Sequence, residues 1–259
     1  MYPQTHVYFA ERVFGVLTDA LALGSVFPDV AAGICTDRQE SHGRGWELLC
    51  APFQDNEVFL NFVLGVISHG INPKGIDFYG DEKYLTYERG YCFEKARPLV
   101  KETIRARNLP SEMGWWKAHN IVEMGIELTV GSGRPYGEIL QKAFANKDLV
   151  EKISSRVANF YNRDPQVFYR RIYNFANYID TSRVTPQSLA SHYDIQMFTR
   201  HRIHIDVNRV AGLILRAAEI VADDLDEFLR FVSSNLQKTL LDLEKTTGIR
   251  LFCTPKAKP

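Results

Sequence analysis

Long hydrophobic runs are missing from this chain. No stretch approaches the roughly 20 apolar residues that a membrane-spanning helix requires, and the opening residues MYPQTHVYFAERVFG lack the basic segment and apolar run of a secretory leader. The expectation is a cytoplasmic protein without a transmembrane segment. Cysteine is scarce as well: Cys35, Cys50, Cys92 and Cys253 lie far apart and form no C-x-x-C pair. This speaks against a disulfide scaffold or a thiolate zinc site and predicts reduced, mostly buried thiols. Any metal ion would then depend on His, Asp and Glu.

Neither sign of charge is in excess, with 31 basic residues against 31 acidic ones, so the overall field calls for no stable nucleic-acid partner and no anionic membrane. A local basic patch stays open. The phosphate loop G-x-x-x-x-G-K-[ST], the G-x-S-x-G elbow and the HD dipeptide are all absent, which leaves nucleotide triphosphate, serine-hydrolase and HD-type chemistry without support. Alternating β-branched runs of strand length are rare.

What the chain does have is apolar residues at three- and four-residue spacing over most of its length, which predicts an all-α fold. With 259 residues, 45% of them hydrophobic, it can bury a sizeable core. The pattern predicts a first helix over Thr5–Leu17 with Thr5 as N-cap, a turn through Gly24–Pro28, and a polar loop over Gly33–Gly45. A helix over Asp55–Ser68 follows, then an irregular stretch GINPKGIDFYGDEKY, and a helix over Ser111–Val130. Loops of that length inside a domain are often functional, and Phe78 and Tyr79 are candidates for one wall of a cleft or for simple packing. After Gly131–Pro135 the helices Tyr136–Ala145, Leu149–Asn162, Pro165–Ile179, Gln187–Met197 and Ile205–Ala222 are expected. A final amphipathic helix runs from Leu225 to a stop at Gly248, ahead of a frayed TPKAKP tail. Residues 1–130 read as one helical region and 131–259 as a helical extension packed with it.

Histidine is where chemistry enters. Four of the seven, His6, His42, His69 and His119, fall in the first 120 residues. Extending the apolar stripe Val58, Phe62, Val66 by one step reaches His69, so its imidazole should point inward. His119 and Glu123 stand four apart, one turn along one helical face, a separation at which imidazole nitrogen and carboxylate oxygen can share one cation. By itself H-x-x-x-E is common on exposed helices. Asp29, directly after Pro28, reads alone as turn chemistry or an N-cap. His192, His201 and His204 read as a polar helix face or a cover over the cleft mouth, with a second site as the alternative. Lys95–Arg107 reads as a solvated helix face.

Taken in order, His6, the G-x-x-x-P-D segment Gly24–Asp29, His42, the G-x-x-S-H segment Gly65–His69 and the H-x-x-x-E segment His119–Glu123 resemble the zinc-dependent phospholipase C family, related in fold to the S1/P1 nucleases. The resemblance covers residues 1–130. It implies a multi-helix bundle of that fold and zinc-dependent hydrolysis of a phosphodiester, with a phospholipid or its headgroup as the substrate. A nuclease or nucleotidase and a non-catalytic helical scaffold with a residual metal site are the alternatives. By the same resemblance Asp29, His42 and His69 correspond to ligands of a first zinc, and Asp29 also to the carboxylate that handles the attacking water. His119 and Glu123 correspond to ligands of a second, His6 to a ligand of a third.

Departures from the family pattern are equally specific. Pro73, preceded by Asn72, stands where the family has a bridging aspartate, and no histidine occurs between His69 and His119. Asp77 is the nearest carboxylate to substitute, with Asp81 and Glu82 behind it. Met1 and Tyr2 replace a processed N-terminal tryptophan. The expectation is therefore one or two zinc ions rather than three.

Overall fold

The computed structural model describes residues 1–51, 56–107, 109–178, 184–248 and 251. Among them the chain is all-helical: no strand occurs, and an isolated bridge pairs Ala32 with Thr36. The α-helices are α1 (Pro3–Phe14), α2 (Asp19–Ala31), α3 (Arg38–Gly43), α4 (Gly45–Leu49), α5 (Glu57–His69), α6 (Tyr91–Ala96), α7 (Val100–Arg107) and α8 (Gly114–Val130). They continue with α9 (Tyr136–Ala145), α10 (Lys147–Tyr161), α11 (Pro165–Phe175), α12 (Pro186–His201), α13 (Val207–Val221) and α14 (Leu225–Thr247). No helix is long and apolar enough to cross a membrane.

Local chemistry sets many of the boundaries. Side-chain oxygens of Thr18, Asp37, Asn56, Asn146, Asp164, Thr185 and Asp206 accept from backbone amides at the starts of α2, α3, α5, α10, α11, α12 and α13. α1 and α14 stop at Gly15 and Gly248 with left-handed backbone, which glycine adopts without a steric penalty. Three expectations need correction here. Thr5 is not an N-cap, because Pro3, which has no amide to leave unpaired, starts α1 two residues earlier and the Thr5 hydroxyl turns to Glu127. Gly24–Pro28 is not a turn but part of α2; Pro28 falls in the last turn, where it forgoes one intrahelical amide bond three residues before the helix ends. His42 lies not in a loop but in the short helix α3, which Asp37 caps.

Two glycines bring α2 and α5 together. A Cβ on Gly24 would sit 1.9 Å from the Phe62 carbonyl oxygen, and one on Gly65 2.4 Å from the Leu21 carbonyl oxygen, so the two backbones meet without intervening side chains. α1 packs against α2 and α5 on one side and against α8 on the other, while α8 also rests on α6 and α13. The ends of α2 and α5, the first turn of α1 and the second turn of α8 therefore face a common interior point. Helices of the second half join this frame, with α9 and α11 on α2 and α13 along α8.

Candidate metal centre

All seven residues singled out as ligands, His6, Asp29, His42, His69, Asp77, His119 and Glu123, fall into three groups, two of which share His69 and the third of which is completed by Asp81. Ligand atoms lie within 4.8 Å of one another in the sets His6/Asp29/His69, His42/His69/Asp77 and Asp81/His119/Glu123. Asp29 rides on α2, where the helix that replaces the expected turn aims it at the histidines. Asn72 and Pro73 enter none of these sets.

Hydrogen bonds to the far sides of the imidazoles decide which nitrogen faces inward. His69 Nδ1 stands 2.7 Å from the Ser25 carbonyl and His42 Nδ1 3.1 Å from the Arg38 carbonyl, while His119 Nδ1 bonds the Trp116 carbonyl. A carbonyl only accepts, so each Nδ1 carries the proton and each Nε2 presents a lone pair to the interior, an orientation typical of metal-binding histidine. His42 Nε2 also faces the Arg38 guanidinium, a pure donor, at 3.2 Å. Around His69 Nε2, by contrast, stand two further acceptors: His42 Nε2 at 3.2 Å and Asp77 Oδ2 at 3.2 Å. His42 Nε2 is 3.6 Å from the same Asp77 oxygen and 3.5 Å from Asp29 Oδ1. A tetrahedral zinc with bonds of about 2.0–2.1 Å separates its ligand atoms by about 3.3 Å, so these edges match the shell of one cation.

The second set is built differently. The H-x-x-x-E spacing on α8 puts His119 Nε2 3.9 Å from Glu123 Oε1. Phe93 of α6 stacks on the His119 ring at 4.2 Å and fixes its plane. Asp81 arrives by a route the sequence pattern concealed. After α5 the chain folds back, with the Ile71 amide bonding the His42 carbonyl at 2.8 Å, and a π-helical turn over Phe78–Glu82 follows Asp77. The wide turn carries Asp81 toward α8, and its Oδ1 is buried without a hydrogen-bond partner. Asn120 Nδ2 donates to Glu123 Oε2 at 3.1 Å and is itself held by the Tyr193 hydroxyl of α12, 3.2 Å from Asn120 Oδ1.

Between the two sets lies the Met1 amine, 3.0 Å from Asp77 Oδ1 and 3.0 Å from Glu123 Oε1. Burial alone would lower its pKa, but Asp77 and Glu123 outweigh that and hold it well above the ordinary value. His6 stacks on His69 at 3.6 Å, with Nε2 3.6 Å from Asp77 Oδ1 and 3.8 Å from Asp29 Oδ2, and its Nδ1 has no partner. The entry of α1 is set by Glu127, one turn beyond Glu123, whose carboxylate accepts from the Gln4 amide at 2.9 Å and the Thr5 amide at 2.7 Å.

The electrostatics leave negative charge in surplus. Burial depresses His6 and His42 below the ordinary histidine value and, only partly offset by Glu123, brings His119 down to about 4. Neutral imidazoles then add lone pairs rather than charge. Burial opposes ionisation of Asp77, yet the Met1 amine holds it well below the carboxylate range; Asp81 is pushed up by burial and by Glu123 and Asp77. Among the described residues, the four carboxylates Asp29, Asp77, Asp81 and Glu123 have the Met1 amine and Arg38 as their fixed cations. Removing charge of one sign from water is costly unless it is neutralised; a proton on Asp81 lowers the surplus, and a divalent cation would do the same.

No protein-family model, no curated protein and no solved structure matches this chain. Sequence reasoning named Asp81 only as a reserve behind Asp77, although D-x-x-x-D at Asp77 and Asp81 repeats the one-turn spacing of His119 and Glu123. Arg38 and Asn120 gave no signal. His201 and His204 stand apart: His201 contacts Lys117 and His204 pairs with Asp194, and neither joins a ligand set among the described residues. Phe78 and Tyr79 belong to packing, Phe78 under Lys74 and Tyr79 against Phe231 of α14. Of the cysteines, Cys35 and Cys92 are buried and unpaired and Cys50 is exposed and unpaired; Cys253, Ile179 and the tail fall outside the described residues.

Proposed function

We propose that this protein is a metal-dependent hydrolase of phosphodiester bonds with the fold of the zinc-dependent phospholipases C, acting in the cytoplasm on a phospholipid or its headgroup. One observation carries the reading: His69 Nε2, with its proton assigned to the other nitrogen, is surrounded by acceptors of His42 and Asp77 at the spacing of a tetrahedral shell. Nitrogen and oxygen donors at that spacing favour zinc. His42, His69, Asp77 and Asp29 would hold one ion and Asp81, His119 and Glu123 another, with His6 beside the first. Because His69 Nε2 is common to two of the three sets, two ions satisfy the geometry better than three.

Zinc held there would supply a water of lowered pKa and polarisation of a phosphoryl oxygen. The protein's own part is positioning. Asp29 is the carboxylate of the cluster with substantial solvent exposure, 38% against 2% for Asp77, so it is placed to accept the proton of an attacking water. Backbone carbonyls hold His42, His69 and His119 against rotation.

The test is metal analysis of protein purified without chelator, then hydrolysis of a chromogenic phosphodiester. Bound zinc with turnover lost in Asp29→Ala and His69→Ala is the expected result; turnover unchanged in both variants overturns the assignment. Comparing a phosphatidylcholine headgroup substrate with single-stranded DNA separates lipase from nuclease. Metal that raises the melting temperature with no turnover on any phosphoester identifies a scaffold instead.

A further inference from the structure

Arg38 occupies a place that a metal-loaded centre makes untenable. It is the first residue of α3, and its side chain is 53% exposed while its guanidinium reaches into the cluster. There it stands 3.4 Å from Asp81 Oδ2, 3.9 Å from Asp77 Oδ2 and 3.2 Å from His42 Nε2. Every one of these atoms belongs to a group assigned to metal binding above. Arginine cannot shed its proton and has no lone pair to offer a cation, so cations that take Asp77, Asp81 and His42 remove all three partners and repel the guanidinium.

Displacement has an open direction. Arg38 lines a cavity of about 280 Å³ together with Gln39, His42, Ile71 and Glu82. A single water needs only about 10–15 Å³ of such space, so the cavity admits a considerably larger molecule. His42 in the same wall makes it the approach to the first ligand set. The only acidic wall residue, Glu82, has Arg89 as a partner at 4.0 Å.

Resting on the metal-centre reading, we propose that Arg38 is the anion-binding residue of the site: in the metal-loaded protein its guanidinium turns to the cavity and takes two oxygens of the substrate phosphate from the side opposite the metals. A planar fork matched to a tetrahedral oxyanion gives two charge-assisted hydrogen bonds, so an anionic phosphoryl group is preferred over a neutral ester of the same shape.

The experiment compares wild type, Arg38→Gln and Arg38→Lys, each loaded with zinc, for zinc content and for affinity toward inorganic phosphate by calorimetry. Circular dichroism checks that both variants fold. Arg38→Gln should keep its zinc, having lost a competing cation, and bind phosphate about 10- to 100-fold more weakly. Arg38→Lys should recover part of this, because an ammonium keeps the charge but not the fork. Unchanged phosphate affinity in a zinc-replete Arg38→Gln protein overturns the role of Arg38 and leaves the metal centre standing. Wild-type protein that takes up no zinc overturns both.

Discussion

His119 shows what burial does to one side chain. Its nitrogen toward Trp116 is bonded and its other face is covered by Phe93, and the ring stays neutral down to a pH of about 4. In chelator-treated protein this has a defined sign. Between about pH 6.5, the ordinary histidine value, and pH 4, the unfolded chain binds a proton at His119 that the folded chain does not, so stability rises with pH. The contribution is complete above about pH 6.5 and is lost as pH falls toward 4, amounting to about 3 kcal/mol for this group. Urea titrations across that window should show the slope, and His119→Gln should reduce it, leaving the share of His6 and His42; identical profiles would mean the ring is not buried in solution. Tyr193 is the second residue with an isolable effect. Tyr193→Phe removes the hydroxyl that holds Asn120 and, through it, Glu123, so zinc affinity at the second set should fall about 10-fold with the first set unchanged. Competition titration with a chromogenic chelator would read this.

The elements explain why some of the site was legible in the sequence and some was not. His69 was readable because it continues the buried positions Phe62 and Val66 of a helix, and His119 with Glu123 because one helical turn joins them; both are local periodicities. Asp29 was legible as a residue but not as a position: the pattern G-x-x-x-P-D invites a turn, whereas a proline in a last turn leaves α2 intact. Asp81 depends on a π-helical turn, a local geometry that periodicity does not encode, and Asn120 and Arg38 act across elements distant in sequence. The crossing of α2 and α5 was likewise hidden, since a glycine's use emerges only when its neighbour is known. It carries a prediction with an internal control. Gly65→Ala, whose added carbon would sit 2.5 Å from the Ser25 nitrogen, should cost about 3 kcal/mol and weaken zinc binding by pushing Asp29 from His69. Gly212→Ala, with nothing within 4 Å, should stabilise by about 0.5–1 kcal/mol. Equal effects in chemical denaturation would sink the close-approach argument.

At the scale of the molecule, the proposed ligands come from α1, α2, α3, α5, the segment after α5, and α8, so a cation that binds them links the ends of the first 123 residues. The all-α class and most helices of the second half could be read from three- and four-residue spacing, because most of those helices are amphipathic and α9, α10 and α14 end at Asn146, Asn162 and Gly248. Their arrangement around the site could not, since helix packing is not written in the period of any one helix. A cation that binds the native chain and not the unfolded one adds about 2.7 kcal/mol at 100 times its dissociation constant. Chelation should therefore lower the melting temperature by several degrees, at about 2–4 °C per kcal/mol for a chain of this size, and added zinc should restore it in a calorimetric scan. A melting point indifferent to chelator would leave the convergence of these elements without a bound ion.

Glu127 gives the start of the chain an unusual status. Backbone amides in the first turn of a helix ordinarily exchange with solvent within moments, having no carbonyl behind them. Here the Gln4 and Thr5 amides end on one buried carboxylate of α8. Deuterium should enter these two positions as slowly as it enters the heart of α8, and a glutamine at 127 should let it in early.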